Sequence, residues 1–157
     1  MKIIHTTAML AAISLAGAVG AEVAPTAVSF AEGAVAQSLS GVAGDPAAGA
    51  VIVGDNGTGN CVACHQVSAL PDVPFQGDIA PMLDGAGDRW SAAELRGILA
   101  NAKMMFEGTM MPAFYKTDGF IRPGNAYTGK AADDTFGPIL SAQQIEDVVA
   151  YLTTLKE

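Results

Sequence analysis

The chain has only two cysteines, and they stand in the run Cys61-Val62-Ala63-Cys64-His65. Two thiols and an imidazole on one short turn suit few kinds of chemistry. A disulfide here would close too small a loop to constrain the unfolded chain much. A dithiol redox pair belongs between a strand and a helix, and the preceding Asn56-Gly57-Thr58-Gly59-Asn60 does not read as a strand. Zinc needs four ligands as a rule, yet the other histidine, His5, lies at the far N-terminus. The spacing is that of covalent haem attachment. Cys61 and Cys64 are expected to bond the porphyrin's two vinyl groups, and His65 to supply an axial nitrogen to the iron.

The iron then needs a sixth ligand or an open site. No histidine other than His65 follows His5, so thioether sulfur is the natural partner, and Met/His coordination raises the reduction potential. Met82, Met104, Met105, Met110 and Met111 are the candidates. Met104 and Met105 fall at the end of an expected helix, where methionine is usually core. Met110-Met111-Pro112 falls in a loop, which can aim a side chain at a metal, and the residues alone do not choose between the two. The second nitrogen of His65 needs a partner that fixes its tautomer, and the carbonyl of Pro81 is expected to serve. Arg89 and Trp90 are candidate donors to haem propionates, or else a surface charge and a core aromatic.

Three helices should position these groups. Asp45-Pro46 is a good start, with Asp as cap and Pro at the first helical position, so a helix should run from Pro46 to about Gly54. Ser91-Ala92-Ala93-Glu94 is a capping box, followed by Leu95, Ile98, Leu99 and Ala102 at helical spacing. Ser141-Ala142-Gln143-Gln144 is a second capping box. After it Ile145, Val148, Val149, Leu152 and Leu155 form an apolar stripe, with Glu146, Asp147 and Lys156 expected off that stripe. Residues 66–88 and 104–140 read as long irregular loops, the first with four Asp and three Pro. Loops this long in a compact domain need something to organise them, and a buried cofactor would serve. There is no repeat and no alternating strand pattern.

The 157 residues are one domain's length, half of them hydrophobic. A net charge of −8 argues against nucleic acid, whose phosphates would be repelled. Lys2, the apolar run from Thr6 to Val19 and the small residues Val19-Gly20-Ala21 read as a signal peptide cleaved after about Ala21. Nothing later is long and apolar enough to span a membrane. Residues 1–21 are thus expected to be the signal peptide, 22–44 an N-terminal extension lying over the domain, and 45–157 the haem domain. Phe30, Ala34 and Leu39 are weakly compatible with a short helix in the extension.

In order and spacing, Asp45 to Gly49, Cys61 to His65, Ala80-Pro81-Met82-Leu83, Met111-Pro112 and Ile145 to Leu152 resemble the class I cytochromes c. That resemblance implies an all-α fold of about three to five helices around one haem c, with long loops. It also implies that the first and last helices cross closely, Gly49 against Tyr151. A closer resemblance is to the SoxX family, the single-haem subunits of the sulfur-oxidation cytochrome SoxAX. It rests on the segments Pro74-Phe75-Gln76-Gly77-Asp78-Ile79-Ala80-Pro81 and Met110-Met111-Pro112-Ala113-Phe114-Tyr115. The resemblance favours Met111 over Met110 as axial ligand. It implies a periplasmic heterodimer with a haem-bearing SoxA-type subunit, acting as an L-cysteine S-thiosulfotransferase. In such a complex this chain would take electrons as thiosulfate is joined to a carrier-protein cysteine, and pass them to a downstream cytochrome. No substrate-reacting residue is expected on this chain, because haem consumes both thiols. Two rivals remain: a free-standing electron carrier for a respiratory chain, and a haem enzyme or gas sensor with an open iron site.

Overall fold

Asp45 accepts a hydrogen bond from the Ala47 N–H at 2.8 Å and so caps α1, Pro46–Gly54. Pro46 stands where a helix has no use for an N–H. A computed structural model describes residues 20–124 and 127–157 of the chain. In it α2 is a single turn, Ala86–Arg89, inside the first long loop. The next two helices are α3, Ala92–Asn101, and α4, Ala142–Leu152. Both expected capping boxes are present: Ser91 with Glu94, and Ser141 with Gln144. Short 3-10 turns occupy Pro25–Ala27, Cys61–Ala63 and Ala102–Met104. Among the described residues the rest is loop, with two isolated bridges, Ala31 with Ala34 and Gly124 with Ala131. The signal-peptide reading falls mostly on residues 1–19, outside the described residues.

Helices α1 and α4 make the main crossing. A methyl group added at Gly49 would strike the Asp147 carbonyl and lie 2.8 Å from the Tyr151 Cβ. Glycine is needed at Gly49 because the two backbones touch. Ile145, Val148, Val149, Leu152 and Leu155 are all buried, together with Leu95 and Leu99 of α3 and Ile52 and Val53 of α1.

The polar side of α4 differs from its sequence pattern. Glu146 and Asp147, expected off the apolar stripe, are only 5% and 8% exposed. The N-terminal segment covers them and uses them as acceptors. Glu146 takes the Leu39 N–H at 2.7 Å and pairs with Arg96 of α3 through two bonds, at 2.8 and 2.9 Å. Arg96 also donates to the Val35 carbonyl at 2.8 Å. Asp147 accepts the Asp45 N–H at 2.8 Å. A buried carboxylate is tolerable when its oxygens are satisfied this fully.

Among the described residues, the segment before α1 contains no α-helix. It is held by backbone bonds from Val35 N to Ala93 O and from Val23 N to Leu39 O, 2.9 and 2.8 Å. Val35 and Leu39 enter the core, so the segment lies over α3 and α4 and also contributes to the packing.

Candidate functional site

The Cys–His turn is set from both sides. Upstream, Asp55 ends α1 and folds the chain back: its carboxylate accepts from Gly57 N at 3.1 Å and Thr58 Oγ1 at 2.9 Å. These two bonds hold its carboxyl below the ordinary range, the Gly57 N–H contributing most. Asn60 then takes a left-handed conformation at φ 49°, which asparagine accepts more readily than most residues. The 3-10 turn Cys61–Ala63 follows, closed by Cys64 N and His65 N on the Cys61 carbonyl at 3.1 and 3.0 Å.

Downstream, residues 77–83 run alongside the turn as a strap. Gly77 N bonds Val62 O at 2.7 Å, Ala80 N bonds Cys64 O at 3.0 Å, and Leu83 N bonds Gln66 O at 2.9 Å. Gly77 is needed because a Cβ there would strike the Ala63 carbonyl. The strap delivers the Pro81 carbonyl to 2.6 Å from His65 Nδ1, as the sequence led us to expect. A carbonyl can only accept, so Nδ1 carries the proton and Nε2 keeps its lone pair for a metal. Arg89 braces the strap by donating to the Met82 and Asp84 carbonyls at 3.0 and 2.7 Å. Trp90 packs edge-on against Phe106, with ring centroids 5.8 Å apart.

The two cysteines are not joined by a disulfide. Burial pushes the Cys61 thiol up to about 11, whereas a reactive redox thiol needs the opposite shift. Among the described residues no group of three or more His, Cys, Asp or Glu side chains could hold a metal ion.

The Met110–Pro112 loop is pinned next to α3. The last carbonyls of α3 lack helical partners, and Phe114 N and Tyr115 N supply them, on Leu99 O at 3.1 Å and Ala100 O at 3.2 Å. Lys103 Nζ donates to the Met111 carbonyl at 3.1 Å, and Met111 N donates to Thr109 Oγ1 at 3.2 Å. Tyr115 is buried, and its hydroxyl donates to the Val23 carbonyl at 2.8 Å. The two neighbours then differ: Met111 packs against the core, while Met110 is 80% exposed.

The donor set fits a haem. Two thiols and an imidazole share one turn, with the imidazole tautomer fixed. Apolar side chains also stand exposed on the flanking elements: Ile79 and Met82 on the strap, Met104 and Phe106 after α3. Exposed apolar surface of this kind suits a ligand with large apolar faces.

The comparisons agree with this geometry. The family model described as Cytochrome c matches residues 46–156. Among solved structures, the crystal structure of SoxXA from P. pantotrophus matches with a TM-score of 0.83 and 65% identity, over 87% of this chain and 99% of that chain. No curated protein matches. The chain belongs to the cytochrome c family and binds one haem c covalently. Within that family it is of the SoxX type.

Proposed function

We propose that this chain is the electron-accepting subunit of a SoxAX-type L-cysteine S-thiosulfotransferase. The observation that carries the reading is the 65% identity to SoxXA over nearly the whole of the matched chain. Cys61 and Cys64 would attach the haem, and His65 Nε2 and the Met111 sulfur would hold its iron. Bound haem supplies a one-electron acceptor whose potential Met/His ligation raises. The rest belongs to the chain's own groups. Pro81 orients His65 through Nδ1. The anchored loop from Thr109 to Tyr115 holds Met111 inward and leaves Met110 in solvent.

Joining thiosulfate to a thiol releases two electrons, and a chain with one haem accepts one at a time. It must therefore pass the first on before taking the second, which calls for a downstream cytochrome. No thiol remains here for sulfur chemistry, so the substrate sulfur and the carrier-protein cysteine meet on a haem-bearing SoxA-type partner. The complex is placed in the periplasm. That placement rests on the reading of residues 1–21 as a signal peptide. Among the described residues no helix is long and apolar enough to cross a membrane.

Reconstitution tests the reading. Mixed with thiosulfate and carrier protein alone, this chain's haem should stay oxidised. With the SoxA-type subunit added it should become reduced, and only when the carrier cysteine is present. Reduction without the partner would favour an autonomous enzyme. No reduction with every component present would favour a free-standing carrier.

A further inference from the structure

Phe75 stands at φ 58°, a left-handed conformation that a bulky aromatic residue rarely adopts. Its side chain is 98% exposed. The local structure enforces both features. The next residue, Gln76, turns inward: its Oε1 accepts Val67 N at 2.7 Å, and its Nε2 donates to Leu70 O at 2.8 Å and Val73 O at 3.3 Å. With Gln76 locked and Gly77 bonded to Val62, the Phe75 ring just before them is left pointing into solvent. Glycine or asparagine would relieve the strain and remove the exposed ring. Strain that persists at a surface site points to a use for it.

The surroundings indicate that use. Phe75 borders an open groove of about 620 Å³, lined also by Gly54, Asp55, Asn60, Ala63 and Val73. None of His65, Pro81 and Met111 lines it, so it is separate from the axial-ligand site. It nevertheless reaches Ala63, between the two haem-bonding cysteines, and a protein seated there would sit against the attachment edge. From Val51 to Asp88 the chain has five aspartates and no lysine or arginine. Asp55, Asp72 and Asp78 are exposed beside the groove or on the segment carrying Phe75.

We propose that Phe75 is an anchor for the haem-bearing SoxA-type subunit, inserting into an apolar socket with a basic rim. This rests on the functional reading above. A permanent partner is favoured over the downstream cytochrome because transient electron-transfer contacts are small, whereas permanent interfaces bury apolar anchors. A second copy of this chain would bring the same acidic rim against itself and be repelled.

The test uses the haem-loaded chain and the purified partner subunit, with Phe75→Asn and Phe75→Tyr. Phe75→Asn should unfold at the same or a higher temperature than wild type, because asparagine tolerates the conformation. It should bind the partner roughly tenfold or more weakly, while Phe75→Tyr binds nearly as wild type. Asp72→Lys with Asp78→Lys should slow association and flatten its salt dependence. Equal partner affinity for Phe75→Asn and wild type would overturn the proposal. So would a wild-type chain that dimerises, or binds phosphatidylcholine vesicles, through Phe75. A wild-type chain with no affinity for the partner would instead sink the functional reading, a result recognisable without any variant.

Discussion

Gly49→Ala is a sensitive probe of the helix crossing, because two effects oppose each other. In an open helix, replacing glycine by alanine stabilises by about 1 kcal/mol. At Gly49 the new methyl meets the Asp147 carbonyl first and the Tyr151 Cβ at 2.8 Å. The first obstacle is backbone, which cannot rotate away, so the overpacking cost should fall near the top of its usual range, about 3 kcal/mol. The net loss is then about 2 kcal/mol, or roughly 6 °C in melting temperature for a chain of this size. Thermal unfolding of the haem-loaded ferric protein, followed by far-ultraviolet circular dichroism, measures it. Trimming the neighbour with Tyr151→Ala should not rescue the variant, since the Asp147 carbonyl remains. A Gly49→Ala protein as stable as wild type, or more so, would refute the close approach of α1 and α4.

Arg96→Ala should destabilise by about 3–5 kcal/mol, because it leaves the Glu146 carboxylate buried without its cation; urea unfolding checks this. Tyr115 titrates near 12 instead of 10, chiefly through burial. A phenol whose native-state pKa is raised contributes stability that is fully present below pH 10 and lost as pH rises to about 12. Tyr115→Phe should therefore narrow its stability gap to wild type across that window, and a constant gap would contradict the assignment. Ser141→Ala should cost about 1 kcal/mol by removing the α4 cap, seen as a lower urea midpoint.

The helices and the haem-attaching turn were legible because their signals are local. Caps stand at fixed offsets from apolar stripes, and the Cys–His spacing admits few chemistries. Pro81 was legible for a similar reason: a carbonyl that follows a histidine proposed as an iron ligand has an obvious use in fixing its tautomer. Glu146 and Asp147 were misread because a helix stripe assumes one buried face. Helix α4 is covered on more sides, and its acids accept hydrogen bonds from Leu39 and Asp45, residues about a hundred positions away. The N-terminal segment hid its role for the same reason. Val35 and Leu39 are core residues without helical or alternating periodicity, placed by bonds to α3 and α4. The conformation of Phe75 has no sequence signal, since nothing in its type predicts a positive φ.

An iron whose sixth position is filled suits a relay without bond-making chemistry, and the near-infrared absorption of the ferric protein reads that position directly. The haem-loaded wild-type chain should show the weak sulfur-to-iron band. Met111→Ala should abolish it and lower the reduction potential, while Met110→Ala, which trims a side chain already in solvent, should leave both nearly unchanged. A band that survives Met111→Ala, or a wild-type protein with no band at all, would contradict the account.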